Sequence, residues 1–340
     1  MEYKPKYLWL HVTTKCNLSC KYCYASVSPK IMCEKIAFQA IDYFIEHAPD
    51  NEELWAYYYG GEPLLNWDLI EKTVKYVKSK NKNVKFGIQT NATLINKFFA
   101  EKLKKYNFKV GVSIDGTSKF HDKNRIFANG LGSYDMVVKG IKVLIASGVK
   151  VYAICVVTQY NVEHLHNLVS HFISLGLSSI NFLPVKDANQ VDPQKFAEKL
   201  IEAQNIVESK NTDFFIKNIK SIKNKLTSKI IEPPCGAINS NMLVMPDGQV
   251  YNCPFLLKTK YSIGKLPNFN PEKSHVLKLF QDWFTKVKKE CANCKLLTVC
   301  SGGCPIDKLK LTKAGCWSSC SFYKPLFENK EVSKWTLAQQ

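Results

Sequence analysis

The stretch Thr14-Lys15-Cys16-Asn17-Leu18-Ser19-Cys20-Lys21-Tyr22-Cys23-Tyr24 places three cysteines at C-x3-C-x2-C spacing directly after a strand-like segment, Tyr7–Val12. Three thiols this close together can wrap one corner of an iron–sulfur cubane and leave one iron without a protein ligand. An open iron can chelate a small molecule, as catalytic metal sites do. A zinc site wants a fourth Cys or His close by. His11 is the only nearby one, and its place inside the strand reads as a packed core histidine.

Outward from this motif the first half alternates short apolar runs with amphipathic ones. Strands are expected at Tyr7–Val12, Leu54–Tyr59, Val84–Gln89, Phe108–Ile114, Lys150–Val157 and Ser179–Leu183. Helices are expected at about Glu34–His47, Asp68–Ser79, Ile95–Tyr106, Tyr134–Ala146 and Val162–Leu175. The period switches between 2 and 3.6 as βα units require. Strict alternation implies a parallel sheet, and six units fall short of the eight that close a full barrel. The fold class is therefore α/β, a partial (β/α)6 TIM-like barrel, with the cysteine motif at the strand end where barrel active sites are built.

The pattern breaks after Val185. Asp192 to about Ser228 reads as polar helix with no evident chemistry, and Pro233, Pro234 and Cys235 open a region rich in Cys, Gly and Pro. The expected segments are 1–187 for the barrel, 188–232 for a helical linker, 233–326 for a small cysteine-rich domain and 327–340 for a tail. Asn239–Tyr251 reads as a hairpin turning at Asp247-Gly248.

Lys and Arg total 47 against 29 Asp and Glu, a net charge of +18. No zinc-finger, helix-turn-helix or RNA-binding signature accompanies that surplus. It reads as solvated lysine faces rather than a nucleic-acid footprint. No run approaches the roughly 18 apolar residues of a membrane span, and no signal peptide is visible, so a cytoplasmic protein is expected. In that compartment thiols stay reduced, and 13 cysteines point to metal rather than disulfides.

The cysteine motif resembles that of the radical S-adenosylmethionine superfamily, whose open iron binds the amino and carboxylate groups of S-adenosylmethionine. Further motifs fall in the right order over residues 7–185. Gly60-Gly61-Glu62-Pro63 follows the second strand like the family's methionine-amino motif. By this resemblance the glycines let the backbone approach the ligand and Glu62 accepts from its ammonium. Ser113 and Arg125 match the pair that holds the methionyl carboxylate in peptide-modifying members. Asn91 is carried over for the ribose, and Tyr22 for the position beside the adenine. A plain structural reading has Asn91 capping the next helix, Ser113 lining the barrel and the glycines making a turn before Pro63. The resemblance implies an enzyme that reductively cleaves S-adenosylmethionine to a 5′-deoxyadenosyl radical. That radical takes a hydrogen atom from a substrate, with electrons from a donor such as flavodoxin or ferredoxin.

In the C-terminal region Cys235 is followed by twelve residues, Gly248, four residues and Cys253. Then come Cys291-x2-Cys294-x5-Cys300-x3-Cys304, and Cys320 closes the set. This order resembles the SPASM domain, which carries auxiliary 4Fe–4S clusters. The resemblance implies three clusters in all: one catalytic, one on Cys291, Cys294, Cys300 and Cys320, and one on Cys235, Cys253 and Cys304. Some relatives have a further cysteine shortly before the position of Cys235. This chain has Ser228-Lys229-Ile230-Ile231-Glu232-Pro233-Pro234 there, so the last cluster lacks a fourth cysteine locally. Cys316 is a spare ligand or a structural thiol. Cys33 and Cys155 read as packed residues at a helix start and in a core strand.

The anaerobic sulfatase maturases have Phe-Tyr after the third cluster cysteine, Gln before Gly-Gly-Glu-Pro, and Asp after the second SPASM cysteine. Here these positions are Tyr24-Ala25, Tyr59 and Pro254, which disfavours sulfatase oxidation. The expected substrate is a ribosomal peptide undergoing thioether or carbon–carbon crosslinking, gripped directly or through a separate recognition protein. The alternative is a small cofactor precursor such as a haem-pathway tetrapyrrole. A plain electron-transfer protein would have no need of Glu62, Ser113 and Arg125.

Overall fold

The computed structural model describes residues 1–24, 28–186, 190–210, 212–228, 230–309 and 319–328. Along the chain run β1 (Tyr7–Thr13), α1 (Glu34–His47), β2 (Leu54–Gly60), α2 (Trp67–Ser79), β3 (Val84–Thr90), α3 (Lys97–Lys105) and β4 (Lys109–Ser113). Next are α4 (Ser118–His121), α5 (Tyr134–Ala146), β5 (Val151–Val157), α6 (Leu165–Ser174), β6 (Ser179–Pro184), α7 (Pro193–Ser209), β7 (Phe215–Ile216) and α8 (Lys217–Ser228). The C-terminal region adds β8 (Asn241–Val244), β9 (Gln249–Tyr251), β10 (Gly264–Lys265), α9 (His275–Glu290), α10 (Leu297–Cys300), α11 (Pro305–Lys308) and α12 (Ser319–Glu328).

The chain forms two compact units. The first contains Met1–Ser113, Asn124–Lys150 and Gly236–Asp282; the second contains Ile114–Lys123, Val151–Cys235 and the described residues from Trp283 onward. These units cut across the sequence segments.

In the first unit β1 to β4 pair in chain order and in parallel. Each strand sorts its side chains by parity. Leu8, Leu10 and Val12 are wholly buried on one face of β1, while Trp9, His11 and Thr13 occupy the other. On that second face Trp9 stacks on Tyr57 with ring centroids 4.4 Å apart. Helix α1 buries Ala37, Ala40, Ile41 and Phe44, the i, i+3, i+4, i+7 stripe of a surface helix.

The expected hairpin is present as β8 and β9, antiparallel with Leu243 opposite Tyr251. Its place was not legible locally: β8 pairs in parallel with β1, Tyr7 opposite Asn241, and extends the sheet of the first unit.

In the second unit β5, β6 and β7 are parallel. The single polar helix expected over Asp192–Ser228 is instead two helices separated by β7. Phe214 and Ile216 are buried, and this apolar step supplies an edge strand beside β6. Nor is α7 polar all round: it buries Phe196, Leu200, Ile201 and Val207. The helix expected over Val162–Leu175 begins as a 3-10 turn, Val162–His164, before α6.

Among the described residues no helix is long and apolar enough to cross a membrane.

Candidate active site

The chain enters the cysteine loop against the end of β2. The Gly61 N–H donates to Thr13 O and the Glu62 N–H to Lys15 O, each at 2.9 Å. A Cβ on Gly60 would lie 2.1 Å from Thr13 O, and one on Gly61 2.1 Å from Lys15 O. The close approach these glycines permit is thus to the chain's own backbone at the mouth of the cysteine loop.

The loop is braced from a second side by residues 124–126. Ser19 N–H donates to Ile126 O at 2.7 Å and Lys21 N–H to Asn124 O at 2.9 Å. This brings together two residues singled out from the sequence: the Arg125 guanidinium lies over the Tyr22 ring, 5.4 Å from its centroid. Ser133 Oγ fixes the Arg125 carbonyl at 2.8 Å.

Burial pushes the Cys16 thiol above its ordinary range, while the Leu18 N–H and the Asn91 amide counter by donating to its sulfur at 3.4 and 3.8 Å. Such N–H···S contacts favour the thiolate and suit an iron–sulfur ligand. Among the described residues no three His, Cys, Asp or Glu side chains converge on a single-ion site. A cubane held at separate corners does not need that convergence.

Glu62 is wholly buried and ties three segments together. Its Oε1 accepts from Leu64 N–H at 3.2 Å and Thr90 Oγ1 at 2.7 Å, and its Oε2 from Asn91 N–H at 2.7 Å. Burial raises its pKa to about 7 against the pull of these donors. A carboxylate offers about four lone-pair directions, so one on Oε2 remains beyond these three donors.

Asn91 does not cap the following helix; Asn96 does, accepting from Phe99 N–H at 3.1 Å. Asn91 instead donates to Asn17 Oδ1 at 2.9 Å and accepts from the Thr93 hydroxyl at 2.7 Å, while Asn17 donates to Thr93 Oγ1 at 2.8 Å. Asn17 and Thr93 carry no sequence signal that would have marked them. Ser113 is buried, with Gln89 Nε2 at 3.5 Å from its hydroxyl.

Two of the positions that depart from the sulfatase maturases, Tyr24 and Tyr59, meet in the first unit. The Tyr24 and Tyr59 hydroxyls are hydrogen-bonded, and Tyr24 also packs on Phe255, beside Pro254, at 4.8 Å. Tyr59 lies 5.0 Å from the His11 ring. His11 is wholly buried, as expected, yet neither ring nitrogen has a hydrogen-bond partner among the described residues, and burial lowers its pKa to about 3. Ala25 lies outside the described residues.

In the second unit the thiols of Cys291, Cys294, Cys300 and Cys320 form one neighbourhood. The Cys291 thiol is raised first by burial and then by the charges of Cys294 and Cys320. The Cys300 thiol is pushed up to about 11, chiefly by burial, with Cys320 and Cys291 adding to it. The turn between Cys300 and Cys304 runs through three left-handed residues, Ser301, Gly302 and Gly303. A Cβ on Gly303 would sit 1.6 Å from Ser319 Oγ, so the glycine lets this turn lie against the start of α12, next to Cys320. Cys235 and Cys304 also belong to the second unit, and Cys253 to the first. Cys155 is buried in β5 as expected; Cys33 precedes α1 but is exposed rather than packed. Cys316 lies outside the described residues.

Residues 10–172 match the model of the Radical SAM superfamily. An uncharacterised protein of Methanocaldococcus jannaschii is 43% identical over 180 residues, spanning 52% of this chain and 62% of that protein, less than two thirds of its length. The cysteine-type anaerobic sulfatase-maturating enzyme of Clostridium novyi is 27% identical over 358 residues, covering 95% of this chain and 94% of the relative. The solved structure of native anSMEcpe with bound AdoMet and the Cp18Cys peptide has a TM-score of 0.83 at 22% identity, with 98% of each chain covered. At that identity the likeness speaks for the fold: an α/β protein with the parallel sheet of radical SAM proteins and a cysteine-rich C-terminal region. Residues 10–172 thus carry a Radical SAM domain, and over nearly the whole chain the similarity is to an anaerobic sulfatase-maturating enzyme.

Proposed function

We propose that this enzyme oxidises a residue within a peptide or protein in the cytoplasm, where thiols stay reduced. When bound, the cluster and S-adenosylmethionine supply the one-electron chemistry that removes a hydrogen atom from the substrate. Cys16, Cys20 and Cys23 hold the catalytic cluster. Glu62 receives the methionyl ammonium on its remaining lone pair, Ser113 and Arg125 hold the carboxylate, and Tyr22, beneath Arg125, faces the adenine. Asn91 serves the loop that carries Cys16, and so acts on the ligand through that loop as well as by any contact with the ribose. Cys291, Cys294, Cys300 and Cys320 hold an auxiliary cluster.

The observation that carries the substrate reading is the cluster of Tyr24, Tyr59 and Phe255 next to Pro254. A wall of this kind excludes water and accepts a side chain by shape. Proline at 254 cannot take a proton, so loss of two hydrogens with closure of a new bond to sulfur or carbon is favoured over maturase-type oxidation. Relatives favour the second reading: the Clostridium novyi protein matched over nearly its whole length is a sulfatase-maturating enzyme, and the anSMEcpe structure holds a peptide.

Reconstituted enzyme, dithionite and S-adenosylmethionine should be incubated with a peptide encoded beside the gene and, separately, with a sulfatase-derived peptide. A two-hydrogen mass loss with a crosslink in the first supports the proposal. Oxidation of a Cys or Ser in the second alone establishes the maturase reading. Turnover of a tetrapyrrole with both peptides untouched overturns both.

A further inference from the structure

The sequence leaves one auxiliary set short of a fourth cysteine, and the surroundings of Cys304 contain a group that its own packing does not explain. Asp307 is 2% exposed. Its Oδ2 is paired with Lys186, whose side chain is itself mostly buried. Its Oδ1 is buried with no hydrogen-bond partner among the described residues. A desolvated carboxylate oxygen without a donor is costly and rare, and it asks for a positive partner.

Asp307 stands three residues after Cys304, and the Cys304 sulfur feels its charge. The Cys304-x2-Asp307 gap is the same as that of Cys20-x2-Cys23 and Cys291-x2-Cys294, pairs that serve one cluster each in the reading above. Carboxylate oxygen is a good donor to iron, and a ligating carboxylate is commonly held by a second group on its other oxygen, as Lys186 holds Oδ2 here.

We propose that Asp307 is a protein ligand, through Oδ1, of the auxiliary cluster that Cys304 helps to hold. This rests on the SPASM reading of the C-terminal cysteines. The lysine that pairs with Oδ2 orients the carboxylate and offsets its charge, and the orphaned oxygen is satisfied by iron instead of by a donor.

The test uses the full chain carrying Cys16→Ala, Cys20→Ala and Cys23→Ala, so that only auxiliary clusters contribute. Iron and sulfide per chain and the electron paramagnetic resonance spectrum of the reduced protein are measured after anaerobic reconstitution. This parent should hold roughly eight irons, as two 4Fe–4S clusters require. Asp307→Ala and Asp307→Asn should each lose up to about four of them, or keep them with one altered cluster signal. Asp307→Cys, which can ligate but cannot pair with Lys186, should restore the iron with a shifted signal. A carboxylate that merely pairs with Lys186 predicts no rescue by cysteine. Unchanged iron and superimposable spectra in Asp307→Ala, or failure of cysteine to rescue the lost iron, overturns the inference alone. A parent without auxiliary iron overturns it together with the SPASM reading.

Discussion

The guanidinium of Arg125 lies over the ring of Tyr22, 5.4 Å from its centroid, and joins the cysteine loop to a segment about a hundred residues further along. The backbone bonds from Ser19 to Ile126 and from Lys21 to Asn124 flank this contact, so loop and segment are fixed independently of the arginine side chain. Removal of the side chain therefore tests ligand binding without dismantling the loop.

For Arg125→Ala we expect S-adenosylmethionine to bind roughly 10- to 100-fold more weakly, the equivalent of losing one charge-assisted hydrogen bond. Iron content should stay at the wild-type level. Ser113→Ala, which removes a neutral hydroxyl, should cost only several-fold. Equilibrium binding on reconstituted protein measures both. Wild-type affinity in Arg125→Ala would remove this residue from the ligand site.

Gly61→Ala forces a methyl group to within 2.1 Å of Lys15 O, which is backbone and cannot swing aside. The expected outcome is destabilisation of about 3 kcal/mol or more, with loss of iron from the catalytic loop. Chemical denaturation and iron analysis read the two effects. A variant as stable as wild type would show that the end of β2 does not rest on the loop.

His11 gives a pH dependence with a definite sign. Its pKa is about 3 in the fold, below the ordinary value of 6.5, so the unfolded chain binds the extra proton first. The stability it contributes is full above about pH 6.5 and is lost progressively as the pH falls toward 3. Between pH 7 and pH 5 that amounts to about 2 kcal/mol. Urea unfolding of wild type and His11→Phe at both values isolates the effect: the difference between them should move by that amount in favour of the variant at pH 5. An unchanged difference would mean that the imidazole is not buried as described.

Gly303 combines a φ of +82° with a Cβ direction that points 1.6 Å from Ser319 Oγ. Gly303→Ala should lose most of the iron held by the Cys291 to Cys320 set. Adding Ser319→Gly removes the clash but not the left-handed backbone, which alone costs roughly 1–2 kcal/mol, so iron should return only in part. Full loading of the single variant would contradict the account of this turn.

The sequence by itself determined the alternating strands and helices of the first half. Alternation fixed β1 to β6 within a residue or two, because side-chain parity and the helical stripe are local properties, and the C-x3-C-x2-C spacing marked the cysteine loop for the same reason. Long-range pairing decided the rest. Only the fold shows that β8 adds to β1, that Gly61 rests against Lys15, and that Asn91 binds Asn17 and the Cys16 sulfur instead of capping a helix. The break of 192–228 at β7 was likewise hidden, because a two-residue strand gains its bonds from β6 and has no periodicity of its own. The orphaned oxygens and nitrogens at Asp307 and His11 belong to the same class. Whether a polar atom is satisfied depends on what the fold brings within 3 Å of it, and no sequence window spans that distance.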